Sequence, residues 1–179
     1  MIKLLILDVD GVLTDGKKYY DNKGTVVMKT FCDKDWTAIK RFKAIGVQVV
    51  FLTGDPFNTA IASKRNIDCI VNRKDGKHTD KADYLTTLCD KYNVVPENVA
   101  FVGDDIFDFR LMQKVKYKYC PADAPEEIQE IVTDIIHESG GHNCIMVLWD
   151  MVTQAKLIPK YKIEQHMEDV YKLDIKEKF

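Results

Sequence analysis

The sequence predicts an α/β protein, a parallel sheet with helices packed on both faces. Its first segment, Ile2-Lys3-Leu4-Leu5-Ile6-Leu7, lacks in–out alternation, the pattern of a strand buried on both sides. Comparable short apolar runs recur at residues 47–52, 69–71 and 99–102. Segments of helical periodicity separate them, and strand–helix alternation at that spacing builds a parallel sheet.

Taken in order, the first strand ends directly in Asp8-Val9-Asp10-Gly11, so polar groups crowd its carboxyl end. Residues 17–31 set Tyr19, Tyr20, Val26, Val27 and Phe31 around Asp21-Asn22-Lys23-Gly24, which predicts a β-hairpin turning at 22–24. Residues 35–45 predict a helix with Trp36, Ile39, Phe42 and Ile45 on one side. The strand at 47–52 delivers Thr53-Gly54, and Asp55-Pro56 then reads as an N-cap with proline at the first helical position. Residues 80–92 predict a helix with Leu85, Leu88 and Tyr92 on one face. The strand at 99–102 ends in Gly103-Asp104-Asp105, and residues 143–156 predict a last packed helix. One domain is expected over residues 1–158. Residues 159–179 are expected as a tail, helical or docked on a partner subunit.

At 179 residues the chain can bury a substantial core. Its net charge of −2 offers no basic field for nucleic acid. The five cysteines, Cys32, Cys69, Cys89, Cys120 and Cys144, form no C-x-x-C pair and read as reduced thiols. No apolar run approaches the length of a membrane span, and a cytoplasmic protein is expected.

Chemistry is expected where the strands ending at Asp8, Thr53 and Asp104 converge, because carboxyl ends in an open parallel sheet share one crevice. Asp8, Asp10 and Asp104 could give hard oxygen ligands to one Mg²⁺. A carboxylate beside Mg²⁺ and a phosphate can attack phosphorus, and a second carboxylate can move the protons. Thr53, nearby amides and Lys81 at a helix start suit the phosphate oxygens. A calcium EF-hand is excluded because Gly11 is misplaced and a strand precedes it. A phospho-receiver domain has its aspartates and lysine in another order, and no G-x-x-x-x-G-K-[ST] stretch is present.

The order Asp8-x-Asp10-Gly11, Thr53, Lys81, Gly103-Asp104-Asp105-x-x-Asp108 resembles the haloacid dehalogenase superfamily over residues 2–155. Residues 8–16, the hairpin with Tyr20 and Gly24, Phe31 before Asp35, Pro121-Ala122-Asp123-Ala124 and Gly140-Gly141 resemble its 3-deoxy-D-manno-octulosonate 8-phosphate (KDO 8-phosphate) phosphatase group, which also includes nonulosonate 9-phosphate phosphatases. The resemblance implies a Rossmann-like three-layer sandwich. It implies Asp8 as nucleophile, Asp10 as general acid/base, and Mg²⁺ on Asp8, the Asp10 carbonyl and Asp104. It further implies phosphate on Thr53, Gly54 and Lys81, with Asp105 and Asp108 orienting metal waters or Lys81. Lys34 and Asp35 are candidate substrate contacts, and the substrate is a small phosphorylated sugar acid.

Asp8 and Thr53 are 45 positions apart, Lys81 and Asp104 are 23, and the expected elements fill both gaps, so no cap domain is expected. The resembling family closes its site by forming a homotetramer, and apolar hairpin residues suit that. Three positions depart from the family pattern: Asp55 replaces a basic residue, Trp36 a glycine, and His142 a polar residue. A capless phosphatase of another metabolite, and a non-catalytic regulatory subunit, are the alternatives.

Overall fold

The computed structural model describes residues 1–177. The chain begins with β1 (Leu4–Leu7), the hairpin of β2 (Tyr19–Tyr20) and β3 (Val26–Met28), then α1 (Asp33–Ala44). Next come β4 (Gln48–Thr53), α2 (Asn58–Lys64), β5 (Asp68–Val71), a second small hairpin of β6 (Arg73–Lys74) and β7 (Lys77–His78), and α3 (Leu85–Tyr92). The remainder comprises β8 (Val99–Val102), α4 (Phe109–Met112), β9 (Tyr117–Pro121), α5 (Glu126–Gln129), β10 (Asp134–Ile136), α6 (Cys144–Gln154) and α7 (Ile163–Asp174).

Six strands form one parallel sheet in the order β10-β9-β8-β1-β4-β5. Strand pleating sends successive side chains to opposite faces. Leu5, Leu7, Val49, Phe51, Ala100 and Val102 therefore join α1 and α6 in one core. Leu4, Ile6, Val50, Leu52, Val99 and Phe101 join α3, α4 and α5 in the other. Two apolar cores around one sheet make the expected three-layer Rossmann-like sandwich, with a hairpin flap and no cap domain. Each fully buried aliphatic or phenyl side chain contributes roughly 1.5–3 kcal/mol.

The chain runs from β1 outward through β4 to β5, then crosses back to β8 and continues to β10. That reversal opens a crevice at the carboxyl end of β1, where α/β sheets bind ligands.

Several expectations shift in detail. Helix α1 starts two residues before the predicted 35, and residues 81–84 form a 3₁₀ turn ahead of α3. Asp55 does not cap α2, which begins at Asn58; its carboxylate instead accepts from the Phe57 amide at 3.0 Å in a preceding turn. Trp36, which stands where the resembling family has glycine, is core: it packs 5.2 Å from the Phe31 ring and 6.2 Å from Phe51.

Residues 163–174 are helical and lie against α1 of the same chain. Arg41 of α1 sits 4.4 Å over the Trp149 ring, and His166 of α7 stacks on that indole at 5.4 Å. Lys40 pairs with Asp174 and Glu177, tying the helix end to α1. Residues 178–179 of the expected tail lie outside the described residues. No helix among the described residues is long and apolar enough to cross a membrane.

Candidate active site

A crevice of about 210 Å³ opens at the carboxyl end of β1 and is lined by Asp8, Asp10, Thr53, Gly54, Lys81, Asp104 and Asp105, among others. Asp8 continues the strand pattern, donating its amide to Val102 at 2.9 Å, so its side chain emerges between β1 and β8. The backbone then turns sharply at Gly11, whose φ is +86°. A Cβ there would lie 2.0 Å from Asp104 Oδ2, so only glycine lets this loop approach the β8 loop.

Lys81 links the ends of β1 and β8. Asp80 caps its 3₁₀ turn by accepting from the Ala82 amide at 2.9 Å. The turn buries Lys81, whose ammonium donates to Asp8 Oδ2 and Asp108 Oδ1, each at 2.6 Å. Burial works against that charge, but Asp8 and Asp108 outweigh it and raise the amine's pKa. Lys81 is therefore a permanent cation.

Asp8, Asp104 and Asp108 place carboxylate oxygens within 4.8 Å of one another. Three carboxylates face one ammonium, and the imbalance bears on Asp104 and Asp8. Burial, with repulsion from Asp8 and Asp108, pushes the Asp104 carboxyl up to about 8. Burial also raises Asp8, against the attraction of Lys81. Asp104 Oδ1 is buried and has no hydrogen-bond partner. A buried carboxylate oxygen of this kind fits a hard divalent cation, which would supply both partner and charge. Asp108 is already engaged, since Oδ1 accepts from Lys81 and Oδ2 from the amides of Asp104 at 2.9 Å and Asp105 at 3.2 Å. It braces Lys81 and the β8 loop. Asp105 caps the turn after β8 by accepting from the Ile106 amide at 2.6 Å.

The Asp10 carboxylate lies outside that trio and is held by a separate set of partners. Lys29 holds it at 2.6 and 2.9 Å, and Asn58 Nδ2 reaches it at 3.2 Å. The Lys29 side chain is fully buried and also donates to Asp55 Oδ2 at 2.8 Å and Asn58 Oδ1 at 2.9 Å. Asn58 Nδ2 then donates to Thr53 Oγ1 at 2.9 Å, so one network fixes the β1 and β4 ends together. Asp55 lies partly against its own burial but is held low by Lys18 and Lys29. Lys29 and Asn58 escaped the sequence reading because alternation in a hairpin strand and a polar first helical turn carry no sign of convergence.

Two expected substrate contacts lie elsewhere. Lys34 is exposed on α1 and lines no part of the crevice. Asp35 is buried and accepts from the Ile145 and Met146 amides at 2.8 and 3.1 Å, capping α6 from a neighbouring helix. His142 is exposed and bonds through Nδ1 to the Gly140 carbonyl at 2.9 Å. The second hairpin, unforeseen, brings Arg73 and His78 to the crevice wall. Its signal was Asp75-Gly76: both have positive φ, 50° and 77°, as in the favoured two-residue hairpin turn.

Residues 70–143 match the haloacid dehalogenase-like hydrolase family. The 3-deoxy-D-manno-octulosonate 8-phosphate phosphatase KdsC of Salmonella typhi is 32% identical over 155 residues, covering 87% of this chain and 81% of that protein. The cobalt-bound deoxy-D-mannose-octulosonate 8-phosphate phosphatase of Haemophilus influenzae is 30% identical, with a TM-score of 0.78 over 87% of this chain and 89% of that one. The Moraxella catarrhalis 3-deoxy-D-manno-octulosonate 8-phosphate phosphatase, solved with magnesium, phosphate and KDO, is 25% identical. It superposes with a TM-score of 0.76 over 86% of this chain and 87% of that one.

Proposed function

The chain belongs to the haloacid dehalogenase-like hydrolases and is a phosphatase, and from that premise we propose a Mg²⁺-dependent phosphomonoester hydrolase acting through Asp8 on a phosphorylated sugar acid. KDO 8-phosphate or a nonulosonate 9-phosphate fits that class. The observation that carries this reading is the interlocked set at the end of β1. There Lys81 bridges Asp8 and Asp108 while Asp104 Oδ1 stays buried and unpartnered.

In the proposed reaction an Asp8 oxygen attacks phosphorus and the bond from phosphorus to the sugar oxygen breaks. Asp10 gives its proton to that leaving oxygen, then takes one from a water that attacks the aspartyl-phosphate. The bond from Asp8 to phosphorus breaks and inorganic phosphate leaves. Asp8, Asp104 and the Asp10 carbonyl would hold Mg²⁺, which when bound supplies charge neutralisation on the phosphate. Lys81 and Thr53, with the Gly54 amide, hold phosphate oxygens. Asp108 and Asp105 keep Lys81 and the β8 loop in place. Lys29 and Asn58 aim the Asp10 carboxylate into the crevice.

Relatives act on KDO 8-phosphate, and in this chain Asp55 stands at the crevice wall where the resembling family carries a basic residue. Lys18 and Lys29 neutralise that aspartate at 2.7 and 2.8 Å. The same substitution favours, as a second reading, a related phosphatase of another phosphorylated metabolite. A cytoplasmic homotetramer is part of the proposal, supported by exposed Tyr19, Tyr20, Val27 and Met28 on the β2–β3 hairpin. In that arrangement neighbouring hairpins do the work of a cap.

Phosphate release with Mg²⁺ from KDO 8-phosphate, a nonulosonate 9-phosphate and neutral sugar phosphates tests the substrate class. At least a tenfold advantage in kcat/KM is expected for the acids. A neutral phosphate preferred over both acids would move the assignment to the second reading.

A further inference from the structure

The crevice is lined by three cations, Lys18, Lys81 and Arg73. Lys81 is matched by Asp8 and Asp108 at 2.6 Å each, and Lys18 by Asp55 at 2.7 Å. Arg73 has no carboxylate within ion-pair distance among the described residues, although it sits in a crevice rich in aspartates. Its guanidinium is nonetheless fixed. Nε donates to the Gly54 carbonyl at 2.8 Å, Nη1 to the Gly76 carbonyl at 3.1 Å, and Nη2 meets His78 Nε2 at 2.7 Å. Each terminal nitrogen keeps a further N–H, a pair suited to a planar anion.

His78 is fixed in turn. Its ring stacks on Phe107 at 4.6 Å and 21°. A Cβ on Gly54 would lie 2.1 Å from His78 Cε1, so the imidazole packs against the backbone that follows Thr53. Burial and the neighbouring charges of Arg73 and Lys81 depress its pKa, keeping the ring neutral and Nε2 free to accept from Arg73. Six residues of hairpin thus present one anchored, unneutralised guanidinium.

Burial separates this group from the phosphorus chemistry. Asp8, Thr53 and Lys81 are buried at the crevice floor, whereas Arg73, His78 and Phe107 are exposed at its mouth. A phosphate seated at Asp8 leaves the remainder of the substrate emerging past them. We propose that Arg73, held by His78 and the Gly54 carbonyl, binds a carboxylate on the leaving portion of the substrate and so sets the preference for phosphorylated acids. This rests on the reading of the substrate as a phosphorylated sugar acid, and it makes Arg73 a specificity determinant.

The test compares KDO 8-phosphate with its C1 methyl ester, in which the carboxylate is masked as a neutral group. Native protein and Arg73→Gln are assayed with Mg²⁺ on both, and on p-nitrophenyl phosphate. Native protein is expected to favour the acid. Arg73→Gln should lose about 10- to 100-fold in kcat/KM on the acid, mostly through KM, and under about threefold on the ester and on p-nitrophenyl phosphate. Lys74→Gln, on the same exposed hairpin, should leave the acid-to-ester ratio unchanged. An equal loss on all three substrates would place Arg73 on the phosphate and overturn the proposal while the substrate class stands. A native protein active on p-nitrophenyl phosphate but on neither the acid nor the ester would overturn both. Loss of the ratio in Lys74→Gln as well would reduce the effect to general charge and also overturn it.

Discussion

Three carboxylates crowd Lys81 at the buried end of β1, and this residue-scale imbalance has a measurable consequence. Without metal, Asp104 and Asp8 are costly to ionise, their carboxyl groups lying above the usual range because burial and mutual repulsion penalise the anion. An acid with a raised folded pKa binds its proton more tightly when folded. Stability is therefore full at low pH and declines as pH rises from the unfolded value toward about 8 for Asp104. Asp104→Asn removes that penalty. The variant should raise the metal-free thermal midpoint at pH 8 by roughly 2–6 °C, about 1–2 kcal/mol, and should lose the stabilisation native protein gains from Mg²⁺. Calorimetry with chelator and with Mg²⁺ reads both effects. A variant less stable than native without metal would contradict this electrostatic account.

Elements show what was readable in the chain and what was not. Strands β1, β4 and β8 were legible because central strands bury both faces and must be apolar throughout. Their carboxyl ends were legible as a site because Asp8, Thr53 and Asp104 follow at once. The strands β9 and β10 were not resolved singly: Lys118 interrupts one, and Asp134-Ile135-Ile136 is too short to stand out. Asp35 showed the sharper failure, since an acid in a first helical turn looks available to substrate while its bonds run to another helix 110 positions away. Asp35→Ala strips two amides at the start of α6 of their acceptor and should destabilise by about 1–3 kcal/mol. Asp35→Asn should lose less, and phosphate chemistry should persist in both. Denaturant unfolding beside phosphatase assays checks this, and a selective rise in KM would return Asp35 to the substrate.

Helix α7 carries a second element-scale prediction. His166 is buried against Trp149 and Tyr161, and its pKa is depressed by burial and by Arg41, with Asp169 opposing. A histidine depressed on docking takes its proton more readily when free, so docking is full above about 6.5 and weakens as pH falls below it. Amide protection in residues 163–174, taken relative to the intrinsic exchange rate at each pH, should fall at pH 5.5 compared with 7.5, and His166→Phe should flatten that dependence. An unchanged pH response in the variant would assign the effect to other groups.

For the whole molecule, the absence of a cap domain leaves the crevice mouth to the two hairpins and whatever packs on them. Exposed Tyr20, Val27 and Met28 give the first hairpin an apolar face that water disfavours. Val27→Lys should shift the sedimentation pattern from a tetramer to smaller species and lower kcat/KM on sugar acid phosphates. Native protein sedimenting as a monomer would remove the shared-site element of the proposal. The fold's remaining task is to bring Asp8, Lys81 and Asp104 from three separated segments to one edge of the sheet. Mg²⁺-dependent phosphate release by native protein and by Asp8→Asn, measured side by side at saturating substrate, tests that assignment most directly. Release should fall by at least about a thousandfold in Asp8→Asn while its thermal midpoint is unchanged or higher, whereas a folded Asp8→Asn that retains native turnover would contradict it.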